Sequence, residues 1–100
     1  MMATVYVGFT LDIVHAGHVT ILNKASSLGD VTLGVITDEA LSNHKSLPIV
    51  DFATRKRIAK GLRGVKTVIN QNQWSYVPTI LNLKPTYFVH GDDWISSDPH

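Results

Sequence analysis

One hundred residues amount to about one domain, and 44% apolar residues suffice for one core, so a single domain over residues 1–100 is expected. Nine Lys and Arg against eight Asp and Glu leave a formal charge of +1, which excludes the basic footprint of a nucleic-acid or membrane-surface binder and favours a small-molecule partner. Cysteine is absent, the start "MMATVYVGF" has no secretory pattern, and no apolar run approaches the ~18 residues of a membrane span, so a soluble cytoplasmic protein is expected.

Strand-like runs of β-branched and aromatic residues occur at "TVYVG" (4–8), "VTLGVIT" (31–37), "VKTVIN" (65–70) and "TYFVHG" (86–91). Each is apolar on both faces, as in strands covered on both sides of a parallel sheet. Between the first two, "GHVTILNKASSLGD" spaces Val19, Leu22 and Ala25 for one helix face and stops at Gly29. A short helix and a long irregular loop, "SNHKSLPIV" (42–50), follow the second strand. The segment "DFATRKRIAKGLRG" is predicted to be a helix capped by Asp51, with Phe52, Ile58, Ala59 and Leu62 on its buried face. The last helix is expected in "SYVPTILNLKP", starting at Ser75, with Pro78 in its first turn and Pro85 beyond its end. Strands alternating with helices define an α/β, doubly wound parallel sheet in three layers. Ligands in such sheets bind beyond the carboxyl ends of the strands, where strand order reverses. The residues just after the first and fourth strands therefore matter most.

His15 and His18 stand three apart at the join between the first strand and the first helix. With a helix start near Ala16, both point the same way from the first turn. The free N–H groups and positive dipole end of that turn attract anions, and two imidazoles add directed donors for phosphate oxygens. Gly17 removes a side chain where a triphosphate would approach, and Gly8 supplies a turn before it. Asp12 is placed to orient a histidine, cap the helix or help hold magnesium. The bland alternative is that His15 caps or packs and His18 is a satisfied surface or core residue. A zinc site is a further alternative, although without cysteine its other ligands would have to come from the scattered His44, His90 and His100.

"HAGH" in this setting resembles the H-x-G-H signature of the nucleotidyltransferase superfamily. "TDEA" (37–40), "TRKRIAKGLRGVKTVI" (54–69), "QW" (73–74) and "HGDDW" (90–94) narrow the resemblance to the cytidylyltransferases. The series is similar to that of glycerol-3-phosphate cytidylyltransferase. A nearer likeness, through "VYVG", "KSLP", "YVP" and "KPTYFVHGDDW", is to the cytidylyltransferase domains associated with phosphoenolpyruvate mutase in phosphonate biosynthesis. It covers nearly all of residues 4–94. Three residues, "FTL", separate Gly8 from Asp12, one more than in the G-T-F-D of the glycerol-phosphate branch, which favours the phosphonate-linked branch. The family's later R-T-x-G-I-S-T-T segment is not in this sequence, so the resemblance implies a Rossmann-like domain lacking the family's C-terminal element.

The resemblance implies transfer of CMP from CTP to a phosphonate or phosphate oxygen, with release of pyrophosphate. It assigns His15 and His18 to the phosphates around the reacting phosphorus, and magnesium, held mainly by the nucleotide phosphates, to the leaving pyrophosphate. Lys45, in the long loop, is placed either to clamp phosphates or as a solvated lysine. Arg55 and Arg63 look like surface charges by position, whereas the family places nucleotide or acceptor contacts there. Gly8, Thr10, Asp12 and Gly17 complete the phosphate side. Gly91, Asp92, Asp93 and Trp94 follow the fourth strand, where a carboxylate would accept the exocyclic amino group of cytosine. The plainer reading there is a turn and a core tryptophan, and Trp74 is open in the same way. Members of this family commonly form homodimers, so a homodimer is expected. Glycerol 3-phosphate or another alcohol phosphate is the alternative acceptor, and a nucleotide-binding remnant without catalysis is the non-enzymatic alternative.

Overall fold

The computed structural model describes residues 3–10, 16–42, 50–90 and 93–96. In chain order these form β1 (Thr4–Phe9), α1 (Ala16–Leu28), β2 (Asp30–Ile36), α2 (Asp38–Ser42), α3 (Phe52–Gly61), β3 (Val65–Gln71), α4 (Val77–Leu83), β4 (Tyr87–His90) and β5 (Asp93–Ser96). One five-stranded sheet runs in the order β3-β2-β1-β4-β5. The first four strands are parallel and β5 is antiparallel to β4. Strand order thus reverses between β1 and β4, which puts the expected ligand crevice above their carboxyl ends.

The two-sided burial expected of β1 is present, with Val5, Tyr6 and Val7 all fully buried. Val5, Val7 and Phe9 join Val31, Leu33, Val35 and Val89 in the main core, against Leu22 and Ala25 of α1 and Ala59 of α3. Tyr6 and Gly8 point to the other face, where α4 and the turn before it lie. α4 sits opposite α1 and α3 because its connection runs back across the sheet, and a crossover of unchanged hand must then use the other side. Three layers result. A register shift between β2 and β3 pairs Val31 with Val65 and Thr32 with Thr67. The extra residue, Lys66, lets Val65 and Val68 both face the main core although they stand three apart. Its ammonium lies 3.0 Å from Asp30 at the surface.

Asp51 caps α3 as expected, its side chain accepting from Thr54 N at 2.9 Å. That bond, together with the Thr54 hydroxyl, holds the Asp51 carboxyl below the usual carboxylate range. α4 begins at Val77 rather than Ser75, whose hydroxyl accepts instead from Val77 N at 3.1 Å. It ends with Lys84 in the left-handed region at φ 50°, before Pro85. Two expectations are corrected. Val19 is 46% exposed, because the core line on α1 runs through Ile21, Leu22, Ala25 and Leu28, and Val19 is turned away from it. On α3 the buried residues are Arg55 and Ala59, with the half-buried Phe52 and Leu62 packed against the core; Ile58, equally half-buried, is not part of that packing. The residues after the fourth strand, whose plainer reading is a turn and a core tryptophan, include Asp93 and Trp94 at the start of a further strand, β5, where they pair with His90 and Val89.

Candidate functional site

The first turn of α1 starts at the carboxyl end of β1, beside β4, at the reversal point of the sheet. Gly17 and His18 lie in that turn and are both half-buried. The His18 ring meets the Phe9 ring edge-on, with centroids 4.6 Å apart, so the last side chain of β1 sets the imidazole on the main-core side of the crevice. Asp93 enters β5 opposite His90, the last residue of β4, and therefore lies at the same end of the sheet as His18. The expected residues His15, Asp12, Lys45, Gly91 and Asp92 lie outside the described residues, as do the side chains of Asp93 and Trp94.

Arg55 is the residue around which this end of the sheet is tied. Its side chain is 0% exposed, although its position suggested a surface charge. Nε donates to Val50 O at 3.0 Å, one terminal nitrogen to Thr10 O at 2.7 Å and Ile36 O at 2.6 Å, and the other to Asp38 Oδ1 at 2.6 Å. Asp38 Oδ2 accepts from Phe52 N at 3.3 Å, and the Phe52 ring backs the guanidinium at 5.6 Å. Four of the five guanidinium N–H groups are thus taken by protein acceptors. Arg55, expected as a nucleotide contact, is placed with its guanidinium bonded to the protein itself. A buried guanidinium committed to three carbonyls and a carboxylate joins the ends of β1 and β2 to the starts of α2 and α3. Thr10 takes part through its carbonyl, at the point where the chain leaves β1.

The opposite wall of the crevice is aromatic. Gly8 is part of β1, paired with Gly34, and not a turn. The space its side chain would occupy is filled: a Cβ there would stand 2.6 Å from Tyr76 Cε1 and 2.9 Å from Gln71 Oε1. The turn expected at Gly8 is therefore a paired strand residue packed under Tyr76. The Tyr76 ring also packs on Phe88 of β4, 4.8 Å between centroids. Trp74, two residues earlier, packs against Ile36, Ala40 and Leu41 beneath α2. Burial raises the Tyr76 hydroxyl above the usual tyrosine range, and more strongly that of Tyr6, whose hydroxyl bonds with Thr79 oppose the shift only in part.

Arg63 lies two residues before β3, at the amino end of the sheet, while Thr10 and Asp38 lie at the carboxyl end. Seven residues of strand at ~3.3 Å each separate the two ends, beyond the reach of its side chain. Arg63, expected as a nucleotide contact, is thus not brought to the carboxyl end within this chain. A groove of about 500 Å³ opens between β3 and α4, floored by Ile69 and Leu83, and none of the expected site residues lines it. Among the described residues no three His, Cys, Asp or Glu converge as metal ligands. No helix among them is long and apolar enough to cross a membrane.

The fold is that of an α/β Rossmann-like protein, with a helix start at the reversal point of its parallel sheet, where such folds bind ligands. Residues 6–100 match the family described as Cytidylyltransferase-like, and the chain belongs to that family of nucleotidyltransferases. It is 30% identical over 95 residues to FAD synthase of Archaeoglobus fulgidus, covering 89% of this chain and 69% of that protein. It is 32% identical over 87 residues to glycerol-3-phosphate cytidylyltransferase of Bacillus subtilis, covering 85% of this chain and 67% of the relative. Against two other FAD synthases the chain spans only 54% and 55% of their length. A solved structure of a lipopolysaccharide core biosynthesis protein from Thermoplasma volcanium superposes with a TM-score of 0.80 at 26% identity, over 88% of this chain and 73% of that one.

Proposed function

We propose that this chain transfers CMP from CTP to a small phosphonate, such as 2-aminoethylphosphonate, and releases pyrophosphate. The observation that carries the reading is His18 in the first turn of α1, held by Phe9 at the β1–β4 reversal point, within the motif series of a cytidylyltransferase-like chain. The acceptor oxygen is already anionic near neutral pH, so the barrier lies in gathering negative groups and stabilising charge at the α-phosphorus. Positioning and electrostatics lower it. His15 and His18 donate to the phosphate oxygens in the five-coordinate state, and Lys45 clamps the two substrates. Asp92 or Asp93 accepts from the cytosine amino group, and uracil, lacking that donor, is rejected because the carboxylate is left unpaired. Arg55 acts indirectly, by fixing the chain at Thr10, five positions before His15. Magnesium, held mainly by the nucleotide phosphates, would supply positive charge against the leaving pyrophosphate; the described residues offer it no cluster of ligands.

The longer "GFTLD" spacing favours the phosphonate, whereas the Bacillus subtilis relative supports glycerol 3-phosphate as a second acceptor. The likeness to FAD synthases brings in a third pairing, a flavin phosphate with ATP. Pyrophosphate release with magnesium and either CTP or ATP, measured across 2-aminoethylphosphonate, glycerol 3-phosphate, phosphoethanolamine and riboflavin 5′-phosphate, separates them. Turnover with CTP and the phosphonate is expected. Turnover confined to another pair reassigns the acceptor, and CTP binding without turnover supports the non-catalytic reading. The homodimer implied by the family is checked by sedimentation equilibrium.

A further inference from the structure

We infer that Gln71 is a positioning residue, whose buried carboxamide, anchored by the Tyr6 hydroxyl, sets the turn over residues 72–76 that walls the crevice. The inference rests on the proposed function for its kinetic consequence but not for its structural one. Gln71 ends β3 and is 0% exposed. Its Oε1 accepts from the Tyr6 hydroxyl, and its Nε2 donates to Gln73 O at 3.0 Å and Trp74 O at 3.3 Å. The backbone carbonyl of Gln71 accepts from Thr37 N at 3.1 Å, tying the same residue to the end of β2. Tyr6 reaches it from β1 by laying its ring across Gly34 of β2, where any Cβ would collide with the tyrosine. One residue therefore links three strands to the turn, with the acceptor and both donors of its carboxamide in use.

A buried polar pair of this kind adds little net stability over apolar residues of the same shape, since hydrogen bonds to water are given up to make it. What it supplies is direction. Two carbonyls of the turn are held at fixed distances from β1. The turn then delivers Trp74 beneath α2, which carries the Arg55 partner Asp38, and Tyr76 over Gly8 and Phe88 at the β1–β4 reversal. The turn contributes no group to the α-phosphorus in the proposed reaction. Disturbing it changes the shape of the crevice, and so weakens substrate binding more than it slows the chemical step.

Gln71→Glu keeps the size and the acceptor for Tyr6 but cannot donate to the two carbonyls. Tyr6→Phe keeps the donors but frees the carboxamide. Both are expected to raise KM for CTP or the acceptor by about tenfold and to change kcat by less than about threefold. The double variant Tyr6→Phe/Gln71→Leu removes both polar partners together; it should regain thermal stability while KM stays raised. In a Trp94→Phe background, Trp74 is the one remaining tryptophan of the two. Its emission should shift to the red and its quenching by acrylamide should increase in both single variants. An unchanged Trp74 spectrum, an unchanged KM, or a double variant with normal KM would overturn the inference. If the wild type turns over no acceptor, the proposed function fails, while the Trp74 spectrum still decides for or against the clamp.

Discussion

Replacing Arg55 by methionine removes the guanidinium while keeping much of the side-chain volume, and isolates what the buried charge does. Three carbonyls, of Thr10, Ile36 and Val50, lose a charged donor, and Asp38 loses its partner at 2.6 Å. Breaking a fully buried ion pair from one side costs ~3–5 kcal/mol. Asp38 is 41% exposed and can rehydrate, which lowers its share. The carbonyls gain no such relief wherever methionine excludes water, and each lost bond to a charged donor is worth ~1.5–3 kcal/mol. A destabilisation of at least about 4 kcal/mol is expected, a large part of the ~5–15 kcal/mol of a typical domain. Urea unfolding followed by far-UV circular dichroism measures it. Asp38→Asn alone should cost only about 1 kcal/mol, and the double variant less than the sum, since the pair is one unit. A loss below about 1 kcal/mol for Arg55→Met, or simple additivity with Asp38→Asn, would show that the hub does not tie the two strand ends together. Arg55→Lys discriminates further, because one ammonium cannot serve acceptors on both Nε and the terminal nitrogens. It should recover stability only in part.

The remaining expectations concern the crevice walls. His18→Ala should lower kcat on the order of 10² to 10³, the scale of one lost transition-state donor; steady-state assays with CTP check it, and an unchanged kcat removes His18 from the reaction. Gly8→Ala places a methyl 2.6 Å from Tyr76 and should cost ~1–3 kcal/mol, read as a fall of several degrees in the melting temperature. An unchanged melting temperature would mean that the Tyr76 ring does not lie on β1. The native state holds the Tyr6 proton more tightly than the unfolded chain, so stability is whole below the ordinary tyrosine value of 10.0 and falls as pH rises past it. The slope is up to ~1.4 kcal/mol per pH unit per proton. Tyr6→Phe should flatten it, and chemical unfolding between pH 9 and 11 measures the difference.

The four parallel strands, their helices and the neighbouring of β1 and β4 were legible because they rest on local, repeating signals. Apolar runs marked the strands, and Asp51 marked the start of α3. The antiparallel β5 was not legible. Its residues "DWIS" follow a Gly-Asp pair that reads as a loop, and pairing with β4 is decided by partners elsewhere in the sheet. At the site the same division holds. Gly17 and His18 fall where a helix start and spacing put them, but the uses of Gly8, Arg55 and Gln71 are non-local: a tyrosine from beyond β3, carbonyls from two strand ends, and a hydroxyl 65 positions away.

One signal for Arg55 was nevertheless present. Phe52, Arg55, Ala59 and Leu62 recur at the spacing of one helix face, and three of the four are apolar. A charged residue in the middle of an apolar face must either break the face or be buried with enough acceptors to satisfy it. The first outcome would leave α3 poorly packed; the second requires oxygen atoms that the core cannot provide but strand ends can. Carbonyls at the ends of β1 and β2 are such oxygens, and they lie at the end of the sheet where ligands bind in folds of this class. The polar exception on the helix face therefore carries positional information: it marks the carboxyl end of the sheet, where Arg55 joins the ends of β1 and β2 through Thr10 and Ile36.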